Sequence, residues 1–177
     1  MRRELFIHLS FWFCFFVFIS LFKNFLSLSY WPFWVGGALG VILPDIDHLI
    51  YVFFMNPQDL TSQRVGFLLK KREIGRTISL LYETRNERKG LIFHTCLFQI
   101  IFLILTFLIV SSSTSIFGTG LVLSFSLHLW VDQLIDLVDL KNLNNWGNIL
   151  PFELNFKRSE VYLGSVFLLL CVMGFLM

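Results

Sequence analysis

The chain has 177 residues, of which 56% are hydrophobic, 18% aromatic and only 15% charged, with a formal net charge of +2. That balance lies outside the range of water-soluble domains, and no nucleic-acid partner is expected of it. It points to an all-α polytopic membrane bundle.

In chain order, apolar runs occupy residues 5–22, 25–43, 91–110, 116–135 and 161–177. Each approaches the ~20 residues that a helix needs to cross ~30 Å of hydrocarbon, so five spans are expected. The first follows "MRRE" and no small-residue cleavage pattern comes after it, which makes it a retained helix rather than a signal peptide. No composition break separates two domains. Residues 1–177 form one integral membrane domain, with 56–90 as its only long polar excursion. Cys14, Cys96 and Cys171 lie within apolar runs and behave there as small hydrophobes.

Lys and Arg near span ends are retained on the cytoplasmic side. With the N-terminus inside, thirteen of the fourteen basic residues fall on the inner side, eight of them within 56–90, and only Lys23 lies outside. The chain is therefore expected to be a multi-pass protein of the inner (cytoplasmic) membrane, its basic 56–90 loop cytoplasmic and suited to anionic lipid head groups.

Charge alone fixes that orientation, and the polar residues embedded in apolar context can then be placed. Asp45, Asp47 and His48, in "GVILPDIDHLIYVFF", fall at the inner end of the second span. His94 falls at the inner end of the third, and His128 and Asp132 near the inner end of the fourth. Three segments thus deliver unusual residues to one membrane face. His128, Asp132, Asp136 and Asp139 form one stripe if that span is helical. Asp45 and His48 share a face from which Asp47 diverges, with Pro44 kinking or starting the helix there. Gly36, Gly37 and Gly40 allow another backbone to approach closely.

Intramembrane carboxylates are costly unless paired or bound to something. Several Asp beside several His are neutralised by a Lys or Arg partner or by a divalent metal, with Zn²⁺ ahead of Mn²⁺ and Fe²⁺. Asp136 and Asp139 are expected to solvate a helix end, and His8, isolated in the first span, to be a packing histidine. Arg88 and Lys89, close to His94, can hold a phosphate or an anionic head group.

These segments also carry a family resemblance. "GGALGVILPDIDHL" resembles the G-x-x-x-P-D-x-D-H signature of small inner-membrane proteins of the YdjM type, taken to be metal-dependent hydrolases. "RKGLIFHTCLF", "LSFSLHLWVDQLID" and "WGNILPF" resemble the family's later R-G-x-x-H-S, H-x-x-x-D and G-x-x-x-x-P-F segments in the same order. Here Glu87 stands where the second motif commonly opens with His, and Thr95 replaces Ser. The resemblance implies a metal set drawn from Asp45, Asp47, His48, His94, His128 and Asp132. The expected activity is hydrolysis of a lipid or phosphoester substrate at the inner leaflet, with Asp47 or Asp132 as proton acceptor and Arg88 and Lys89 on the substrate. The alternatives are a non-catalytic scaffold with a structural metal, whose basic loop recruits a soluble partner, and a metal or proton transporter.

Overall fold

The computed structural model describes residues 2–88, 90–147 and 155–177, without the side chains of Arg2 and Asn86. Eight α-helices follow in order among these residues: α1 (Arg2–Lys23), α2 (Trp31–Ile42), α3 (Ile46–Ile50), α4 (Leu60–Lys70), α5 (Ile74–Glu83), α6 (Cys96–Ser112), α7 (Ile116–Leu140) and α8 (Phe156–Leu176). There are no strands among them.

Four stretches are long and apolar enough to cross a membrane: Arg3–Lys23, Leu28–Met55, Ile116–Leu140 and Phe156–Leu176. The expected span at 91–110 is instead the 17-residue α6, about 25 Å long at 1.5 Å per residue. It is shorter because Thr95 caps it, its side chain accepting the Phe98 N–H, and because residues 92–94 give their N–H groups to a carboxylate rather than to a preceding helical turn.

The second expected span, 25–43, runs on to Met55. Pro44 lacks an N–H, and the helix tightens into a 3-10 turn at Leu43–Asp45 before resuming as α3. It then widens into a π-turn at Tyr51–Met55.

Helix α7 is the central post, with 78% of its apolar stretch buried against 28–33% for the other three spans. Its main partner is α2, and the contact is backbone on backbone. A Cβ added at Gly36 would lie 2.2 Å from the Phe117 carbonyl oxygen, and one at Gly40 2.3 Å from that of Leu121. Small residues four apart are therefore required here, as in close helix pairs within lipid. Phe16 stacks on Phe33 at 4.4 Å between ring centroids and carries α1 onto the same pair.

The polar excursion 56–90 is a folded hairpin of α4 and α5 rather than an open loop. Val65, Leu69, Leu80 and Leu81 bury an apolar stripe against Tyr51, Val52 and Leu91. Phe67, Ile74 and Ile78 stay exposed beside Lys70, Lys71 and Arg76. The hairpin thereby roofs one end of the bundle, and its descending arm delivers Arg85 and Arg88 there.

Candidate metal centre

Asp132 of α7 stands at the middle of that end. Its Oδ2 lies 3.1 Å from His128 Nε2, one helical turn earlier, and 3.2 Å from His94 Nε2. Its Oδ1 lies 3.3 Å from His8 Nε2 and 3.3 Å from Arg85 Nη1. Asp45 approaches from the turn at Pro44, with Oδ1 3.7 Å from His128 Nε2. His8, His128 and Asp132 are all buried, and one ligand-type atom from each falls within 4.8 Å of the others.

Hydrogen bonding decides which ring nitrogens are free. His8 Nδ1 donates to the Glu4 carbonyl at 2.9 Å, and His94 Nδ1 donates to Asp47 Oδ2 at 3.1 Å. A neutral imidazole that donates from Nδ1 carries a lone pair on Nε2. In the neutral form the His8 lone pair faces Asp132, itself an acceptor, and His94 Nε2 lies 3.2 Å from the same carboxylate, where only a proton or a cation lets the two atoms meet. His8 Nε2 and His128 Nε2 are buried, and neither has an aligned hydrogen-bond partner among the described residues. The arrangement requires either extra protons or a shared cation.

Donor atoms about 2.1 Å from a tetrahedral metal lie about 3.4 Å from one another, and the 3.1–3.3 Å from the Asp132 oxygens to His8, His94 and His128 are close to that edge length. A histidine held at one nitrogen by a carboxylate or carbonyl and open at the other is also how protein metal ligands are oriented. The buried His8–His128–Asp132 group can hold a metal ion, and His94 is aimed at the same carboxylate.

Asp47 has a different task. Its fully buried carboxylate accepts N–H groups from Ile92 (3.1 Å), Phe93 (2.6 Å) and His94 (3.4 Å) besides the His94 ring. It anchors the 92–94 segment and lines neither of the two cavities described below. Asp47, expected to be a free proton acceptor, has both carboxylate oxygens engaged: it diverges from Asp45 and His48, but into protein.

Two guanidiniums complete the electrostatics. Arg85 bridges Glu4 (3.3 Å), Asp132 and Asp136 (2.8 Å). Burial pulls its pKa down, and the carboxylates of Asp132, Asp136 and Glu4 more than offset this and hold it above the ordinary value. Arg88 is 5% exposed and donates to His48 Nδ1 (3.1 Å), Thr84 Oγ1 (2.9 Å) and the Leu81 carbonyl. Burial, before anything else, pushes its pKa down to about 10, which leaves it a cation at neutral pH. Three of its donors are thus spent inside the protein, a poorer phosphate clamp than the sequence suggested. Lys89 lies outside the described residues, as does most of the "WGNILPF" segment beyond Gly147.

Two cavities flank the centre. One of about 200 Å³ is lined by His8, Asp45, His48, Asp132 and Arg85 on its polar side and by Leu49, Ile78, Leu81 and Tyr82 on the other. A smaller polar cleft of about 50 Å³ lies among His48, Arg85, Arg88, His94, Asp132 and Trp146. Asp45, with 39% of its side chain exposed, is the least committed carboxylate at the centre. Burial raises the Tyr82 hydroxyl well above its ordinary value, which leaves it a neutral donor on the cavity wall.

Sequence reasoning missed three of these residues. His8 is part of the buried group rather than an isolated packing histidine, and the signal was its location at the inner end of the first span. Asp136 is buried, held by Arg85 and by the Trp146 Nε1–H at 2.7 Å, and does not solvate a helix end. Arg85 gave no signal beyond its charge. Compared with known proteins, the chain matches no family model, no curated protein and no solved structure. The functional reading therefore rests on the chemistry of the site.

Proposed function

We propose that the chain is a metal-dependent hydrolase of the YdjM-like kind, acting on a lipid or phosphoester substrate at the cytoplasmic face of an inner membrane. The observation that carries this reading is the convergence of unpartnered Nε2 atoms of His8 and His128 on Asp132 at the wall of a cavity that is polar on one side and apolar on the other. A site that merely stores charge has no need of the apolar side, and an amphipathic ligand does. The side of the membrane follows from the distribution of Lys and Arg.

His8, His94, His128 and Asp132 would hold the ion, and the imidazole-rich set favours Zn²⁺, with Mn²⁺ and Fe²⁺ as alternatives. When bound, such an ion supplies Lewis acidity to a scissile phosphoryl or acyl oxygen and to the attacking water. Asp45 is the carboxylate free to accept the proton of that water. Arg85 pairs with Asp132 at 3.3 Å and fixes its orientation, and Leu49, Ile78 and Leu81 seat the apolar part of the substrate. Exposed Phe67 and Ile74 on the roof, next to basic side chains, suit an anionic lipid surface as partner.

The test is metal analysis of detergent-purified protein together with hydrolysis of a panel of phospholipid and lipid-phosphate substrates in added Zn²⁺ or Mn²⁺. Bound metal and turnover that both fall in His128→Ala are expected. Tight metal with no turnover on the panel and no solvent-exchangeable position after Co²⁺ substitution replaces the hydrolase with a scaffold that holds a structural metal.

A further inference from the structure

His48 lies between the two cavities and lines both. Its ring stands 5.0 Å from that of His94, measured between centroids, close enough to be counted with the other histidines as a ligand. The hydrogen bond at its other edge argues otherwise. The Nε–H of Arg88 donates to His48 Nδ1 at 3.1 Å. A guanidinium has donors and no acceptor, so this contact exists only when Nδ1 carries a lone pair. A neutral imidazole with its lone pair on Nδ1 carries its hydrogen on Nε2. Nδ1 is then blocked by Arg88 and Nε2 by its own hydrogen, and neither can bind a cation. The pattern is the reverse of that at His8, where Nδ1 donates and Nε2 has no aligned partner among the described residues, and at His94, where Nδ1 donates to Asp47 and Nε2 faces Asp132 at 3.2 Å.

Arg88 is itself fixed. Thr84 and the Leu81 carbonyl take its two terminal nitrogens, and both belong to the end of the hairpin that roofs the site. The tautomer is thus imposed from outside the metal centre, by a side chain that touches none of the proposed ligands. Among the described residues, no protein group accepts the His48 Nε2–H. The His48 ring lines both cavities where a substrate would lie, with Asp132 in both and Asp45 in the larger.

We propose that Arg88 fixes His48 as a neutral imidazole with its hydrogen on Nε2, and that this N–H is a hydrogen-bond donor for the substrate oxygen that gains negative charge, not a metal ligand. The inference rests on the hydrolase reading and deepens it. A fixed neutral donor costs no reorganisation when charge develops opposite it, and so it favours the transition state over the ground state. Arg88 acts as the positioning residue. Its guanidinium, on the far side of the ring, polarises the imidazole towards donation.

The experiment begins with ¹⁵N-labelled histidine in metal-free, detergent-solubilised protein. The chain has four histidines, and the spectrum lost in His48→Gln assigns the one at issue. A hydrogen on Nε2 is expected in the wild type, with exchange between tautomers appearing in Arg88→Met and a single tautomer restored in Arg88→Lys. A hydrogen on Nδ1, or on both nitrogens, overturns the proposal without any assay of activity. The second arm measures Zn²⁺ stoichiometry and orthovanadate binding. In His48→Gln the metal content should match wild type while vanadate binds about tenfold or more weakly, as for loss of a hydrogen bond to a charged group. Loss of metal in that variant makes His48 a ligand and ends the idea, as does unchanged vanadate binding. A wild type that takes up no Zn²⁺ sinks the hydrolase reading, and the ¹⁵N spectrum still decides the role of Arg88.

Discussion

Asp47→Asn changes one oxygen into an NH₂ at the most heavily used carboxylate of the site. Asp47 Oδ2 accepts the Phe93 and His94 N–H groups and the His94 ring, and Oδ1 accepts the Ile92 N–H. The best orientation of the amide keeps its oxygen at the Oδ2 position and turns NH₂ towards the Ile92 N–H, donor against donor. One backbone N–H is stranded, at about 1–3 kcal/mol, and the remaining bonds fall from charge-assisted to neutral, roughly half as strong. At ~1.4 kcal/mol per factor of ten, the stranded group alone speeds local opening about 5- to 150-fold. Hydrogen exchange of amides 92–94, followed by mass spectrometry in micelles, should accelerate by that factor while the buried centre of α7 around Leu129 stays protected. With its Nδ1 partner weakened, His94 is also less well oriented, and metal affinity should fall about 10- to 100-fold. Unchanged exchange at 92–94 together with lost hydrolysis would refute the anchoring role and return Asp47 to the part of proton acceptor.

Three further outcomes are expected. His8→Ala should lose metal as His128→Ala does, by metal analysis of the purified protein; normal metal content with only a lowered melting temperature makes His8 a packing residue. Arg85→Met leaves Asp132, Asp136 and Glu4 without their cation and should destabilise the chain by about 3–5 kcal/mol in thermal or denaturant unfolding, with added Zn²⁺ restoring part of the loss. Gly40→Val puts a Cβ 2.3 Å from the Leu121 carbonyl oxygen and should lower stability by about 1–3 kcal/mol or more in the same assay, whereas Gly164→Val, where a Cβ meets nothing within 4 Å, should not.

The helices were legible because lipid imposes long apolar runs and little else. The gathering of Asp45, His94, His128 and Asp132 at one end was legible because the distribution of Lys and Arg orients every span at once. The rest depended on partners that no spacing encodes. Asp47 is recognised as an anchor only when the N–H groups of residues 92–94 are seen to lack a helical turn. Asp136 looked like a solvated helix end until the Trp146 turn and Arg85 closed over it. His8 has no acidic residue within one turn except Glu4, whose carbonyl rather than its carboxylate orients the ring. Its true partner, Asp132, is brought to it by the packing of α1 on α7. The boundary of the third span was misjudged for the same reason as Asp47, since residues 91–95 are as apolar as a helix but are held as a bent, non-helical strap.

The close contact of Gly36 and Gly40 with α7 divides the centre into a fixed jaw and a hinged one. Asp45, His128 and Asp132 ride on two helices whose backbones touch, so they move as one piece. His94, Arg85 and Arg88 hang from the strap and the roof, whose polar ties to that piece run through Asp47, Asp132, Asp136 and His48, beside the apolar packing of the hairpin on Tyr51 and Val52. Admission of a ligand therefore need not part α2 from α7. Only the hinged jaw has to swing, and releasing it means breaking the same bonds that orient His94 and His48. If the chain is the hydrolase proposed above, a site built this way would be open only while it is chemically unassembled, and substrate capture and assembly of the catalytic groups would become a single event.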